Sequence, residues 1–328
     1  MPLYESLLAE LRRAFPSPVS DPVHDGYVVF SLLRTLDRVD QLKTQAPILG
    51  TPRENDFLAA QQSRLAAEGR VLEEVIPELV DSLRGMLIFG HPRSQVNVVS
   101  WPSIAGILGV VLPAMYNPNL CSEESGLGFS EAEVRAASIS AELVGYDSEK
   151  AGGLFTFGGT GTLLYGLKIG LEKALPDSLR RGVREPGVIL CSDQSHYACQ
   201  TVAGWLGLGT EAVWKAPTGA DNAIDLAALE QLARRALQEK RAIVALVATL
   251  GTTDAFGLDD LQAVARLSRK LEAEFQLPYR PHVHADAVIG WAWSAFNGYD
   301  FTANPLGFRG RTLRALAGIH RRVQHLKL

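Results

Sequence analysis

Residues 242–250 read Ala-Ile-Val-Ala-Leu-Val-Ala-Thr-Leu, a nearly unbroken apolar run. A strand that is apolar on both sides has to be buried on both sides, which is the condition of a central strand in a parallel sheet covered by helices. The neighbouring chain supplies the rest of such a sheet. Residues 187–191, 211–215 and 281–285 predict further strands. Residues 161–175, 196–206, 225–239 and 258–275 predict helices, the third opened by Asp225 as its cap. Strands alternating with helices of this length imply right-handed crossovers, a mostly parallel sheet flanked by helices, and an α/β fold. In such sheets ligands sit beyond the carboxyl ends of the strands, so the loops there are where chemistry is to be sought.

The first ninety residues have a different texture. Residues 28–34 are apolar, 58–83 carry a spaced Leu/Ile/Val stripe, and together they predict a helical N-terminal arm. Pro102 predicts a helix start before 104–112. Ser130 and Glu133 form a capping-box pattern predicting a helix over 132–143, with Gly145 as its stop. The expected organisation is therefore an arm and dimerisation segment over 1–90, followed by a large domain over 91–328.

The 328 residues are 47% apolar, enough for a sizeable core, which excludes a disordered chain. A net charge of −4 excludes a general nucleic-acid binder, which needs a basic field. Cys121, Cys191 and Cys199 are too few for a disulfide framework and predict a reducing compartment. The apolar stretch 104–115 falls short of a membrane span and contains Pro113. Residues 1–15 carry Glu5, Glu10, Arg12 and Arg13 where a secretion signal would be apolar. The expectation is a cytoplasmic protein with no membrane and no nucleic-acid partner.

Four motifs are candidates for chemistry. Phe155-Thr-Phe-Gly-Gly-Thr-Gly-Thr162 runs straight into a helix, and a glycine-lined helix start presents free N–H groups to an anion such as phosphate. It is neither a P-loop nor a dinucleotide fingerprint, since no Gly-Lys-Ser/Thr follows and position 164 is Leu. Ser192-Asp-Gln-Ser-His196 places an imidazole where it could stack on a flat ligand, pack locally or bind an anion. Thr249-Leu-Gly-Thr-Thr253 sets hydroxyls on the turn after the buried strand, a pattern that turn chemistry alone also accommodates. In His282-Val-His-Ala-Asp286, strand periodicity puts three polar side chains on one face. The spacing also suits a metal, but no second histidine-rich cluster completes a coordination sphere, so no metal is expected. Asp286 then reads as a buried carboxylate in need of a cation.

With His91-Pro92, these motifs resemble, in order, the group II pyridoxal 5'-phosphate (PLP)-dependent amino-acid decarboxylases. This is the family of glutamate and aromatic-amino-acid decarboxylases, and the resemblance runs from about residue 90 to residue 290. It implies the large domain of the aspartate-aminotransferase-like fold, PLP fold type I. It implies that Gly159, Thr160, Gly161 and Thr162 hold the cofactor phosphate, and that His196 stacks on the pyridine ring. Thr253 lies against the ring, Asp286 pairs with the ring nitrogen, and Asp259 matches an acidic position near the site. His91, Gln95 and Asn97 fall in a stretch that approaches the substrate. The resemblance thus implies a lyase, a carboxy-lyase of carboxylic-acid metabolism acting on an amino acid, with His196 and Asp286 as its catalytic residues and a homodimer as its assembly.

One part of the family pattern is missing. On a strand after the aspartate the family carries a lysine, normally preceded by histidine, that attaches the cofactor. After Asp286 the only lysine is Lys327, in His325-Leu-Lys-Leu328. The family's smaller C-terminal domain is missing too, and the stretch from Arg309 to Val323 reads as a basic amphipathic helix. The expectation is a cofactor-binding portion incomplete at the C-terminus and inactive alone, whether a truncated sequence, a split enzyme whose lysine arrives on a complementing C-terminal polypeptide, or a degenerate copy. Two alternatives stand beside it: another lyase of the same fold, because cofactor motifs do not choose the bond broken, and a non-catalytic or split-enzyme subunit.

Overall fold

A computed structural model describes residues 3–12, 15, 17–94 and 99–323. The chain divides into two compact units, Met1–Pro118 and Asn119–Leu328. The first unit contains helices α1 (Leu3–Arg12), α2 (Pro22–Gln41), α3 (Phe57–Gln61), α4 (Leu72–Asp81) and α5 (Ile104–Tyr116). Asp21 opens α2 by accepting the N–H groups of Val23 and His24, and Asp56 opens α3 through Ala59. A small core forms where Leu42, Ile76 and Val80 meet. The stripe over 58–83 does not make one helix. It breaks between α3 and α4, where Leu65 is fully exposed, because a short amphipathic stretch with nothing to bury against does not hold helical geometry in water. Pro102 lies one residue outside the cap of α5, which is Ser103, accepting from Gly106 at 3.0 Å. Ile104, Val110 and Tyr116 on α5 are 80%, 71% and 75% exposed.

The second unit contains α6 (Glu123–Gly126), α7 (Gly128–Leu143), α8 (Gly159–Ala174), α9 (Ser178–Arg181), β1 (Gly187–Ser192), α10 (Ala198–Trp205), β2 (Val213–Ala216), α11 (Leu226–Gln238), β3 (Ala242–Thr249), α12 (Leu261–Phe275), β4 (His282–Asp286) and α13 (Gly310–Val323). The expected capping box is not made. Helix α7 begins at Gly128, which puts Ser130 inside it with its hydroxyl unpartnered.

The sheet is parallel throughout, in the order β2-β1-β3-β4. Strand β3 is the apolar run, and its two faces feed two cores. Leu246 and Ala248 pack with Val188 and Leu190 against Leu229 of α11 and Leu261, Val264 and Leu271 of α12. Ala245 and Val247 pack with Ile189 and Cys191 against Leu163, Leu167 and Leu171 of α8 and Cys199 and Val202 of α10. Each of these fully buried leucines is worth about 1.5–3 kcal/mol relative to exposure. Helix α13 joins the first of the two cores through Val323, and Arg322 donates to the carbonyl of Leu258 and the carboxylate of Asp221, both at 2.7 Å.

Helix α8 lies unusually close to the sheet, and glycine makes that possible. A Cβ at Gly170 would stand 2.5 Å from the carbonyl oxygen of Val244, and one at Gly166 would stand 2.3 Å from Nδ1 of His284. The Val244 oxygen belongs to a fixed strand and cannot yield. Gly170→Val is therefore expected to lower the unfolding free energy in urea by about 3 kcal/mol or more. Gly204→Ala in α10, whose added carbon meets nothing nearer than 3.9 Å, should instead raise it by about 0.5–1 kcal/mol.

Candidate functional site

Strand order reverses between β1 and β3, since β2 lies outside the former and β4 outside the latter. This is the topological switch point, where an open α/β sheet forms its ligand crevice. Three hydroxyls bind the two strand ends there. Ser195 Oγ accepts the N–H of Ser192 at 3.1 Å and lies 3.1 Å from Ser192 Oγ and 2.9 Å from Thr249 Oγ1. All three residues are buried. The next residue, His196, is held by its own helix: Nδ1 accepts the N–H of Ala198 at 3.1 Å, which leaves the proton of the neutral ring on Nε2. Its ring lies 4.2 Å from that of Tyr197, centroid to centroid.

After β3 the chain turns at Gly251, φ +106°, a conformation that suits glycine, with Ile289 packed where a side chain would stand. Thr252 Oγ1 accepts the N–H of Gly257 at 2.9 Å and closes the turn. Thr253 lies half-buried within it. Asp259 is not brought to the crevice with these residues. It is completely buried, and its two oxygens accept the N–H groups of Ile224 and Thr249, each at 2.7 Å. Burial pushes its carboxyl above the ordinary range, while the two amides pull it back. Asp259 therefore reaches the crevice only through Thr249, and the resemblance, which pairs residue types with roles, had no means to show this.

The other wall is α8. Strand periodicity turns His282, His284 and Asp286 to one face, and Gly170 and Gly166 pack α8 onto the first two. Helix and strand run antiparallel, so the mouth of α8 arrives at the end of β4, where a Cβ at Gly159 would stand 3.7 Å from a methyl group of Val288. Asp286 and residues 159–162 thus share one side of the sheet. Two other helices of this unit are capped by aspartates, α11 by Asp225 and α12 by Asp260, whereas α7, α9 and α10 have no capping side chain. The cap of α8 is Gly158, φ +99°, which offers no side chain. Thr162 N–H bonds the carbonyl of Gly158 at 3.1 Å, leaving the amides of Gly159, Thr160 and Gly161 without an acceptor inside the helix. A Cβ at Gly161 would come within 3.0 Å of Thr156 and 3.1 Å of the Phe157 ring. Thr162 Oγ1 holds Thr156 Oγ1 at 2.8 Å, fixing the turn.

Asp286 is half-buried, and among the described residues no lysine or arginine pairs with it. Burial raises its pKa, partly offset by the Val288 amide and by the nearby His196. The structure thus brings a desolvated carboxylate, an imidazole and an uncapped helix mouth to one crevice. His282 and His284 are held neutral beneath α8, with burial lowering both to about 4.

His91 belongs to the first unit, half-buried, with Nδ1 accepting the N–H of Arg93 at 3.1 Å. Gln95, Asn97 and Lys327 lie outside the described residues. In the second unit a cavity of about 720 Å³ opens beside the approach to the glycine turn, lined by residues that include Tyr146, Lys150, Phe155 and Trp291. Sequence reading passed over Ser192 and Ser195 as individual residues. Their signal was position: hydroxyls immediately after a strand that neighbours the apolar run.

Two measurements check this geometry. In a double-mutant cycle, Ser195→Ala and Thr249→Val should each cost about 1–3 kcal/mol, with a coupling of about 1 kcal/mol between them. Full additivity would mean the hydroxyls do not meet. For the histidines, the unfolded chain binds protons between pH 6.5 and 4 that the folded chain refuses. Their contribution is therefore complete above 6.5 and lost as the pH falls, with a ceiling on the order of 3 kcal/mol per ring. Asp259 and Asp286, with raised pKa values, act in the opposite direction, so the wild type must be compared with His284→Gln. The stability difference between the two should shift against the wild type across that window, and a flat difference would exclude a neutral buried ring.

No family model matches the chain. The L-2,4-diaminobutyrate decarboxylase of Acinetobacter baumannii is 25% identical over 248 residues, covering 71% of this chain and 47% of that protein. Among solved structures, the glutamate decarboxylase domain of the Vibrio parahaemolyticus diaminobutyrate-pyruvate transaminase and L-2,4-diaminobutyrate decarboxylase superposes with a TM-score of 0.73. It is 22% identical, and the match covers 88% of this chain and 62% of that one. Oryza sativa TDC with PLP and tryptamine gives 0.68 at 19% identity, over 81% and 56% of the two chains. The chain thus spans about half the length of the curated relative and some 60% of the solved ones. In sequence it is similar to L-2,4-diaminobutyrate decarboxylases, and in fold to decarboxylases of known structure.

Proposed function

We propose that the second unit is the cofactor-binding portion of a PLP-dependent amino-acid decarboxylase, a carbon–carbon lyase. One observation carries the reading: Asp286 is a desolvated carboxylate with no cationic side chain paired to it among the described residues, on the same side of the sheet as an uncapped, glycine-lined helix mouth. A ligand with a protonated ring nitrogen at one end and a phosphate at the other satisfies both. The Oryza sativa relative holds PLP, and the residues here suit that group.

When bound, the cofactor supplies a conjugated ring that takes up the electron pair left when a carboxylate departs. The protein's part follows from its own atoms. Amides of Gly159, Thr160 and Gly161, with the α8 dipole behind them and the Thr162 hydroxyl beside them, bind the phosphate. The Asp286 carboxylate holds a proton on the ring nitrogen, since opposite charges in a poorly hydrated site raise the base and lower the acid. His196 stacks on the ring and fixes its plane, with Thr253 against it from the neighbouring turn. Asp259 acts behind them through Thr249 and Ser195. His91, Gln95 and Asn97 belong to the substrate side, and the substrate is an amino acid. Two copies are inferred to assemble through the first unit, whose α5 leaves large apolar side chains exposed.

The test is binding of PLP to this chain, followed by fluorescence quenching. Asp286→Asn should weaken binding by about tenfold to a hundredfold with the fold intact by circular dichroism. In the assembled enzyme the same change should nearly abolish decarboxylation. Gly161→Val should weaken PLP more than pyridoxal, which lacks the phosphate. Lys327 is not preceded by histidine, and we expect borohydride to leave no adduct on this chain after denaturation. A PLP affinity indifferent to Asp286→Asn would overturn the reading, and a reduced adduct mapped to Lys327 would overturn the absence of a covalent link.

A further inference from the structure

Away from the crevice, a second cavity of about 610 Å³ opens at the C-terminal end of α7, a volume suited to a small organic ligand. Its walls come from Ile139, Glu142 and Leu143 on α7, and from Ser294, Asn297 and His320. Ser294 is 3% exposed, and its hydroxyl has no hydrogen-bond partner. A buried hydroxyl left unpaired costs about 1–3 kcal/mol, so a group that enters the cavity and bonds it gains that energy back. One wall is already rigid. Asn297 donates through Nδ2 to the carbonyl of Leu143 at 3.4 Å, and its Oδ1 lies 3.1 Å from Nε2 of His320.

The charge of the site chooses the ligand. Glu142 is the one acidic residue lining it and makes no ion pair among the described residues. The negative pole of α7 ends at the same place, and both disfavour an anion. Ile139 and Leu143 offer an apolar surface beside the carboxylate. We propose that this cavity is a binding site for a small organic amine. Its ammonium group faces Glu142, a second N–H donates to Ser294 Oγ, and its alkyl part lies on Ile139 and Leu143. Amines are also the product class of amino-acid decarboxylation, but the site is defined by its own residues and does not depend on that activity.

The experiment is calorimetric titration of the chain with n-butylamine, with butyrate and n-butanol as probes of reversed and absent charge. Butylamine should bind and butyrate should not. Glu142→Gln should weaken butylamine roughly tenfold, leaving it close to butanol. Ser294→Ala should weaken it roughly threefold to tenfold without lowering the thermal midpoint, because the change removes a hydroxyl that has no partner in the folded chain. Saturating the crevice with pyridoxine 5'-phosphate, which carries no aldehyde to react with an amine, should leave butylamine affinity unchanged. Equal binding of butyrate, an affinity indifferent to Glu142→Gln, or competition with pyridoxine 5'-phosphate would each overturn the proposal. A large drop in thermal midpoint for Ser294→Ala would overturn it as well, since the hydroxyl would then be satisfied within the protein.

Discussion

The close seating of α8 on β3 and β4 is the constraint from which the rest of the second unit follows. Gly166 and Gly170 remove the side chains that would hold the helix off, and the backbone of Val244 and the ring of His284 occupy the space. A helix this near the sheet cannot slide or tilt without collision, because protein interiors are packed like crystals and yield little. Its N-terminus is therefore fixed at the carboxyl end of β4. Were α8 lifted by the width of a methyl group, the amides of Gly159, Thr160 and Gly161 would move away from the crevice that Asp286 enters. Glycine lowers helix propensity, and here that local loss is accepted for the sake of position.

At that position the protein keeps two features that a chain built only for stability would have removed. Helix α8 starts without a capping side chain, and Asp286 is desolvated with no cationic side chain beside it among the described residues. Each has a simple local remedy used elsewhere in the same unit. Aspartates cap α11 and α12, and Arg322 pairs with Asp221. Two unrelieved opposite charges on the same side of the sheet, positive at the helix mouth and negative at the strand end, define a ligand with the reverse polarity. A missing cap alone marks nothing, since α7 and α10 also start without one; its meeting with an unpaired carboxylate on the same side of the sheet is the mark of a site.

How much of this was legible in the sequence depended on whether the signal was local. The run at 242–250, the Asp225 cap and the strand ending at Asp286 announce themselves through composition and period, and the structure places β3, α11 and β4 there to within a few residues. The glycine turn was legible because its residues are consecutive. The stripe at 58–83 misled because period says nothing about whether a surface exists to bury it. Ser130 misled for a related reason: a capping box is a competition among possible helix starts, and Gly128 lies two residues earlier. The link from Asp259 through Thr249 to Ser195 was out of reach, since it joins residues 64 positions apart and the sequence holds no trace of which hydroxyls meet.

That link changes how the aspartates near the crevice are to be understood. By sequence alone Asp259 and Asp286 are two carboxylates near strand ends, each a candidate to touch a cofactor. In the fold, both are desolvated and both have raised pKa values, so titration does not separate them, although Asp259 is completely buried and Asp286 only half-buried. What separates them is the count of their hydrogen bonds. Asp259 gives both oxygens to main-chain amides within 2.7 Å, and such a carboxylate has little left to offer a ligand. Asp286 receives one amide and a distant imidazole, and so retains lone pairs and negative charge for a cation that the described chain does not contain. The same perturbation thus marks a structural clamp in one case and a binding group in the other, and unsatisfied valence, not pKa, decides between them.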